Sequence, residues 1–242
     1  MSDSSSVFSA EEVQRYLRHI DLEGVGPQGQ RKLKNSKVCV VGAGGLGSPA
    51  LMYLAAAGVG TIGIVDGDVV DLSNLQRQVI HSSSSVGLSK TLSARQRLNE
   101  INPHVNVVCH DVFLSEQNAE SILSEYDFII EATDMFASKY LISDVCVRIN
   151  KPYSICGVQH FGGQVMTYVP GAKSYRDFFP DGEDEGGCQS CATKGILGVV
   201  PGIMGTIQAT EAIKYILSLG QLLTNRILVF DALNMSFCMI KN

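Results

Sequence analysis

Apolar and polar positions follow one another in blocks along this chain of 242 residues. Apolar runs at 38–41, 62–65 and 105–109 have the length of buried strands, and so do those within 127–134 and 153–157. Between them the period changes. Residues 48–57 form a run of small side chains, and Leu88, Leu92, Arg95 and Leu98 recur at helical spacing. Residues 119–124 and 135–149 predict two more helices, and Asn102-Pro103 stops the one before them. Strand alternating with helix predicts an α/β, Rossmann-like, mostly parallel sheet with helices on both faces and right-handed crossovers.

The ends of the chain read differently. Ser9 predicts an N-cap, with Glu12 closing a capping box. That helix carries Arg15, Tyr16, Arg18 and His19 and is broken by Gly24, Gly26, Pro27 and Gly29; residues 30–34 form a short amphipathic stretch. Beyond the fifth strand the pattern predicts antiparallel C-terminal strands at 163–169, 227–230 and 236–240. Residues 203–219 predict a helix with few charges, buried on more than one side. The Gly-, Asp- and Glu-rich stretch at about 172–192 has no apolar periodicity and predicts a mobile surface loop. No repeat or linker divides the chain, so residues 1–242 read as a single domain.

Composition narrows the class. A hydrophobic share of 45% suits a filled core, and a net charge of −5 offers no general attraction to nucleic acid or anionic membranes. The seven cysteines are scattered, with no signal peptide and no membrane-length apolar run; they read as reduced thiols in a cytoplasmic protein. Cys39, Cys109, Cys146, Cys156 and Cys238 sit in apolar runs as small core hydrophobes.

The chemistry begins between the first two strands, at Gly42-Ala43-Gly44-Gly45-Leu46-Gly47. Strand, glycine turn and helix let backbone N–H groups approach a phosphate, with the helix N-terminus adding partial positive charge. Asp66 falls about twenty residues on, where an acidic side chain reaches a ribose hydroxyl. This pattern indicates a nucleotide without saying which. Asp68, Ser73, Asn74, Arg77 and Gln78 lie in a connection of about 67–87 that is long for a plain crossover. Lys90 opens the next helix and Asp134 ends the fourth strand. Singly, Arg77 or Lys90 reads as a solvated charge and Asp134 as a helix cap. Together, cations, amides and carboxylates near a glycine turn suit a triphosphate with magnesium, which a dinucleotide cofactor would not need.

These strings resemble the ThiF/MoeB/HesA branch of the ubiquitin-activating enzyme superfamily. The resemblance rests on Gly42 to Gly47, Asp66-Gly-Asp68, Ser73-Asn-Leu-Gln-Arg-Gln78 and Lys90, with Arg15-Tyr-Leu-Arg18, Ala132-Thr-Asp134 and Gly205 to Lys214, from about Tyr16 to the last strand. It implies ATP-dependent adenylation of the C-terminal glycine of a small ubiquitin-like sulfur carrier with a Gly-Gly end, of thiamine or molybdopterin type. It also implies site roles. Gly45 with Gly42, Gly44 and Gly47 would face the phosphates, and Asp66 the ribose. Asn74, Arg77 and Lys90 would grip the triphosphate, with Asp68, Ser73 and Gln78 completing the set. Asp134 would hold magnesium. Arg18 would reach the partner subunit's ATP, implying a homodimer; a cysteine desulfurase or sulfurtransferase would be a further partner.

The sequence also departs from that pattern. Many relatives hold a structural zinc with two Cys-x-x-Cys pairs, but Ser174 and Asp177 stand where the first belongs and no second pair follows the final strand. No structural zinc is expected; Cys188-Gln-Ser-Cys191 is one isolated pair. By the resemblance, Cys191 matches a thiol that in relatives joins a carrier or sulfur donor covalently. Lys194 would favour its thiolate, and Asp184 and Glu185 would oppose it; a loop cysteine without a role is the plain alternative. Met135 stands where relatives carry an asparagine, which removes one nucleotide or metal contact. Other readings stay open. The substrate could be a tRNA base or a peptide. The chain could be an NAD-dependent oxidoreductase using His81, His104, His110 or His160, or an inactive adaptor subunit.

Overall fold

The computed structural model describes residues 8–180 and 195–241. Three helices lead in: α1 (Ala10–Arg15), α2 (Leu17–Ile20) and α3 (Gly26–Asn35). Then come β1 (Lys37–Val41), α4 (Gly47–Ala57), β2 (Thr61–Val65), α5 (Lys90–Ile101), β3 (Asn106–His110), α6 (Ala119–Leu123) and β4 (Phe128–Glu131). The second half holds α7 (Phe136–Arg148), β5 (Tyr153–Gln159), β6 (Gly162–Tyr168), α8 (Tyr175–Phe178), α9 (Val199–Leu217), β7 (Arg226–Asp231) and β8 (Ser236–Lys241).

All eight strands join one sheet in the order β3-β2-β1-β4-β5-β6-β7-β8. The first five pair in parallel, and the last three add antiparallel neighbours, as the sequence pattern predicts. Apart from the edge strand β3, the parallel strands are largely buried on both faces, which is why they read as continuous apolar runs. Val38 and Val40 face one core with Ile62, Ile64 and Leu54; Cys39 and Val41 face the other with Ile129 and Ile142. Helices α4 and α9 cover the first face, α6 and α7 the second. Fully buried side chains such as Leu51 and Leu54 contribute roughly 1.5–3 kcal/mol each. No helix among the described residues is long and apolar enough to cross a membrane.

Five local expectations are corrected, the first being that Cys238, expected in the core, lies exposed on the edge strand β8. The Ser9–Glu12 capping box forms, but Tyr16 ends α1 at φ −97° and ψ 12°, so Arg15 and Arg18 sit on different helices. Gly26, Pro27 and Gly29 do not break a helix; they lie inside α3, where proline at the first turn loses no hydrogen bond. Leu88 and Leu92 are exposed, and α5 buries Thr91, Ala94 and Leu98 instead.

The stretch expected to be a mobile loop at about 172–192 holds α8. Ser174 Oγ accepts the Asp177 N–H, and Asp177 Oδ2 accepts the Ser174 N–H at 2.7 Å. Tyr175 is buried between Tyr140 and Phe179. The two residues standing in the expected cysteine positions are therefore the reciprocal cap of a helix. The rest of that stretch, with Cys188 and Cys191, lies outside the described residues.

Candidate nucleotide site at the centre of the sheet

Val41 is in register with Val65 on one side and with Glu131 on the other. Gly42, Asp66 and Ala132 therefore emerge side by side at the carboxyl edge of β1, β2 and β4. Between β1 and β4 the strand order reverses, the place where open α/β sheets bind ligands. Gly42 has φ +100°, and a β-carbon there would stand 2.6 Å from the Ala132 carbonyl oxygen. A β-carbon at Gly47 would stand 1.9 Å from the Gly42 oxygen. Only glycine lets this turn fold so closely under the start of α4. The N-cap, Leu46, supplies no side-chain bond; the Ser48 N–H is taken by the Gly44 carbonyl at 2.9 Å and Pro49 has none, so the N–H groups that face an anion here are those of the turn itself, from Gly44 to Gly47.

The turn is braced on both sides. Asp66 Oδ2 accepts the Ala43 N–H at 2.8 Å and its Oδ1 accepts the Asp68 N–H at 2.9 Å. Burial pushes the Asp66 carboxyl above its ordinary range, against the pull of the Lys90 charge and those two N–H groups. From the other side His81 Nε2–H donates to the Ala43 carbonyl at 2.9 Å, and Nδ1 lies 2.9 Å from Ser93 Oγ. Burial pulls the His81 pKa down. His81 is thus a brace of the glycine turn, which removes it from the histidines open to hydride chemistry. Its spacing in the sequence gave no sign of this.

The long connection is ordered by local caps. Asp71 Oδ1 accepts from the Ser73 N–H at 2.8 Å and from its hydroxyl at 2.6 Å, and the Asp71 N–H reaches Asn74 Oδ1 at 3.4 Å. Ser73 and Asn74 thereby close one turn, whose Asn74 carbonyl accepts the N–H groups of Arg77 and Gln78. Arg77 Nη1 donates to the Ser73 carbonyl at 3.2 Å. A β-carbon at Gly45 would lie 3.5 Å from Arg77 Cγ and 3.2 Å from Pro201, so Arg77 passes beside the glycine turn and α9. Gln78 is buried, its Nε2 would be 3.6 Å from a β-carbon at Gly44, and its Oε1 has no partner among the described residues. Lys90 Nζ pairs with Asp68 Oδ2 at 2.9 Å.

Asp134 is exposed three residues beyond Glu131, with exposed Met135 after it. Glu131 and Lys139 went unread in the sequence. They form a buried pair at 2.6 Å beneath the turn that leads to Asp134; an acid closing an apolar strand was the available signal. Arg18 is not brought to this site. Its neighbour His19 bonds Gln30, whose Nε2 donates to Ala57 at the far end of α4, about 16 Å along the helix from the glycine turn.

The sequence matches the ThiF family over residues 16–242. It is 47% identical over 240 residues to the probable adenylyltransferase/sulfurtransferase MoeZ of Mycobacterium tuberculosis, covering 97% of this chain and 61% of that one. It therefore spans about three-fifths of that relative's length. It is 42% identical over 236 residues to the sulfur carrier protein adenylyltransferase of Thermus thermophilus, covering 95% and 87%. The fold overlays the crystal structure of E. coli MccB with a TM-score of 0.82 over 97% of this chain and 71% of that one, at 23% identity, a likeness of fold. By sequence match over nearly its whole length, and with the family's glycine turn seated at the switch point of the sheet, the chain belongs to the ThiF family.

Proposed function

We propose that this chain adenylates the C-terminal glycine carboxylate of a small ubiquitin-like sulfur-carrier protein, using ATP and magnesium and releasing pyrophosphate. One observation carries the reading. Arg77, Gln78 and Asp66 lie against a glycine turn, with Lys90 paired to Asp68 beside them, and the helix that follows has no side-chain cap, all at the reversal of strand order.

The reaction needs alignment and charge more than it needs a covalent group. The carrier's carboxylate oxygen bonds to the α-phosphorus, the bond to the pyrophosphate oxygen breaks, and the acyl-adenylate remains. The turn's N–H groups and the Arg77 and Lys90 charges offset the negative phosphates that the carboxylate must approach. Asp66 fits a ribose hydroxyl because each of its oxygens keeps a second acceptor site beyond the backbone N–H it already binds. The exposed carboxylate of Asp134 fits magnesium, which usually takes one or two carboxylates along with substrate phosphates and, when bound, would neutralise phosphate charge.

The remaining parts of the reading follow from this assignment. The enzyme works as a homodimer, with Arg18 serving the partner's site, since the fold holds it far from its own. Ser174 and Asp177 cap a helix, which supports a first zinc pair having been replaced. Five free cysteines among the described residues suit a reducing cytoplasm. The Cys191 thiolate bonds to the acyl carbon of the carrier's adenylate, giving a thioester as AMP leaves, and a sulfurtransferase or cysteine desulfurase supplies the sulfur.

Exchange of labelled pyrophosphate into ATP, with a Gly-Gly-ended carrier present, tests the central step. Carrier-dependent exchange is expected. No exchange, with the protein stabilised against heat by NAD and not by ATP–magnesium, would return the chain to the oxidoreductase reading. Exchange with a short peptide or RNA in place of the carrier would reassign the substrate.

A further inference from the structure

Beneath the turn carrying Asp134, Glu131 is fully buried as the last residue of β4, and Lys139 is nearly so on α7. Glu131 Oε2 takes the Lys139 ammonium at 2.6 Å. Glu131 Oε1 accepts both the Thr133 N–H, at 2.8 Å, and the Thr133 hydroxyl. Lys139 Nζ also donates to the Thr133 carbonyl at 3.0 Å and to the Cys156 carbonyl on β5 at 2.6 Å. One ion pair thus takes every polar group of Thr133. The strand end beneath it is fixed from behind, since Gln208 Nε2 donates to the Glu131 carbonyl at 2.7 Å.

A buried ion pair is an expensive way to close a strand-to-helix turn; apolar side chains of the same volume commonly do as well. What this pair adds is direction. Ala132, before Thr133, lies against Gly42, and Asp134 follows it. Asp134 has no hydrogen bond of its own among the described residues, and α7 begins without a side-chain cap at Met135. The placement of the Asp134 carboxylate relative to the glycine turn therefore depends on Thr133.

We infer that Glu131 and Lys139 are positioning residues that hold Asp134 for the metal of a metal–nucleotide complex. The inference rests on the proposed role of Asp134. The pair touches neither nucleotide nor metal; it acts by locking the peptide that precedes the ligand.

The test reads metal affinity apart from turnover. Thermal protection by a non-hydrolysable ATP analogue is titrated with magnesium, and manganese binding to the same complex is followed by electron paramagnetic resonance. The double variant E131Q/K139M removes both charges at similar volume; T133V removes only the hydroxyl's bond. The magnesium midpoint is expected to rise about 10- to 100-fold in the double variant, as for groups that orient metal ligands. It is expected to rise roughly threefold in T133V, about the worth of one hydrogen bond. Protection by the analogue without metal stays as in the wild type. Unchanged midpoints in folded variants would overturn the inference. Should the double variant fail to fold, T133V decides alone: a raised midpoint supports the inference and an unchanged one overturns it. If the wild type itself gains no metal-dependent protection, the role assigned to Asp134 fails instead.

Discussion

Two lysines flank the crevice, and they are held in different ways. Their side chains are about equally hidden, 8% exposed for Lys90 and 5% for Lys139. Lys90 has one ion-pair partner among the described residues, Asp68, which is 55% exposed. Lys139 has three acceptors, one of them its counter-ion Glu131, which has no exposure at all. On the proposed reading an incoming phosphate takes over Lys90, because Asp68, once released, faces water. No ligand can take over Lys139, because Glu131 would be left as an unpaired buried charge. The burial of a cation does not by itself separate a ligand-binding lysine from a structural one; the burial of its partner does.

The largest effect is expected where this contrast is broken outright. Lys139→Ala leaves the buried Glu131 carboxylate without its counter-ion, and should cost about 3–5 kcal/mol of stability, read by denaturant unfolding. A loss below about 1 kcal/mol would put Lys139 in the same class as Lys90. Lys90→Ala should do the reverse. The proposed adenylation should fall by about 10²-fold or more, as for loss of one preorganised donor, with a smaller stability loss than Lys139→Ala. Equal losses of stability in the two variants would erase the distinction.

A third effect sharpens the comparison on the Lys90 side. His81 lies in the field of Lys90, and burial lowers its pKa below the ordinary 6.5. The unfolded chain therefore binds this proton more readily than the folded one, and the His81 contribution is lost as pH falls below about 6.5. Burial lowers His110 as well, so two histidines share the slope. Melting temperature should fall on acidification through this window, and His81→Gln should flatten only the His81 part. An unaltered slope in that variant would mean that His81 binds its proton equally well in the folded and the unfolded chain.

Much of this was legible in the sequence because it is carried by backbone pattern. The inner parallel strands appear as apolar runs because both faces are largely buried. The glycine turn is visible because Gly42 and Gly47 have no room for a β-carbon. The side chains that brace it were not legible. His81 meets Ala43 across 38 positions and Lys139 meets Cys156 across 17, contacts no local period encodes. Helix α8 was hidden for another reason. Glycine and acidic residues dominate the composition of that stretch, while the helix depends on one capping pair and the burial of one tyrosine, Tyr175. Leu88 and Leu92 misled in the opposite sense, since helical spacing gives a stripe without saying whether the core lies under it.

The smallest effect belongs to Asp68. Its pair with Lys90 is half-open to water, and such pairs contribute about 0–1 kcal/mol. Asp68→Asn should therefore move the unfolding free energy by less than about 1 kcal/mol. Its effect on nucleotide binding is more telling. In the wild type a phosphate must compete with the Asp68 carboxylate for Lys90, and added salt weakens that competitor as well as the phosphate. With asparagine in place, the lysine is free before binding. ATP affinity should be unchanged or modestly tighter at low salt and should then fall more steeply as salt is raised, because only the phosphate contact is left to screen. Calorimetry at two salt concentrations measures both quantities. If Asp68→Asn instead weakens ATP several-fold at every salt concentration, Asp68 contacts the nucleotide itself, and its pairing with Lys90 is the resting arrangement of two residues that both bind ligand.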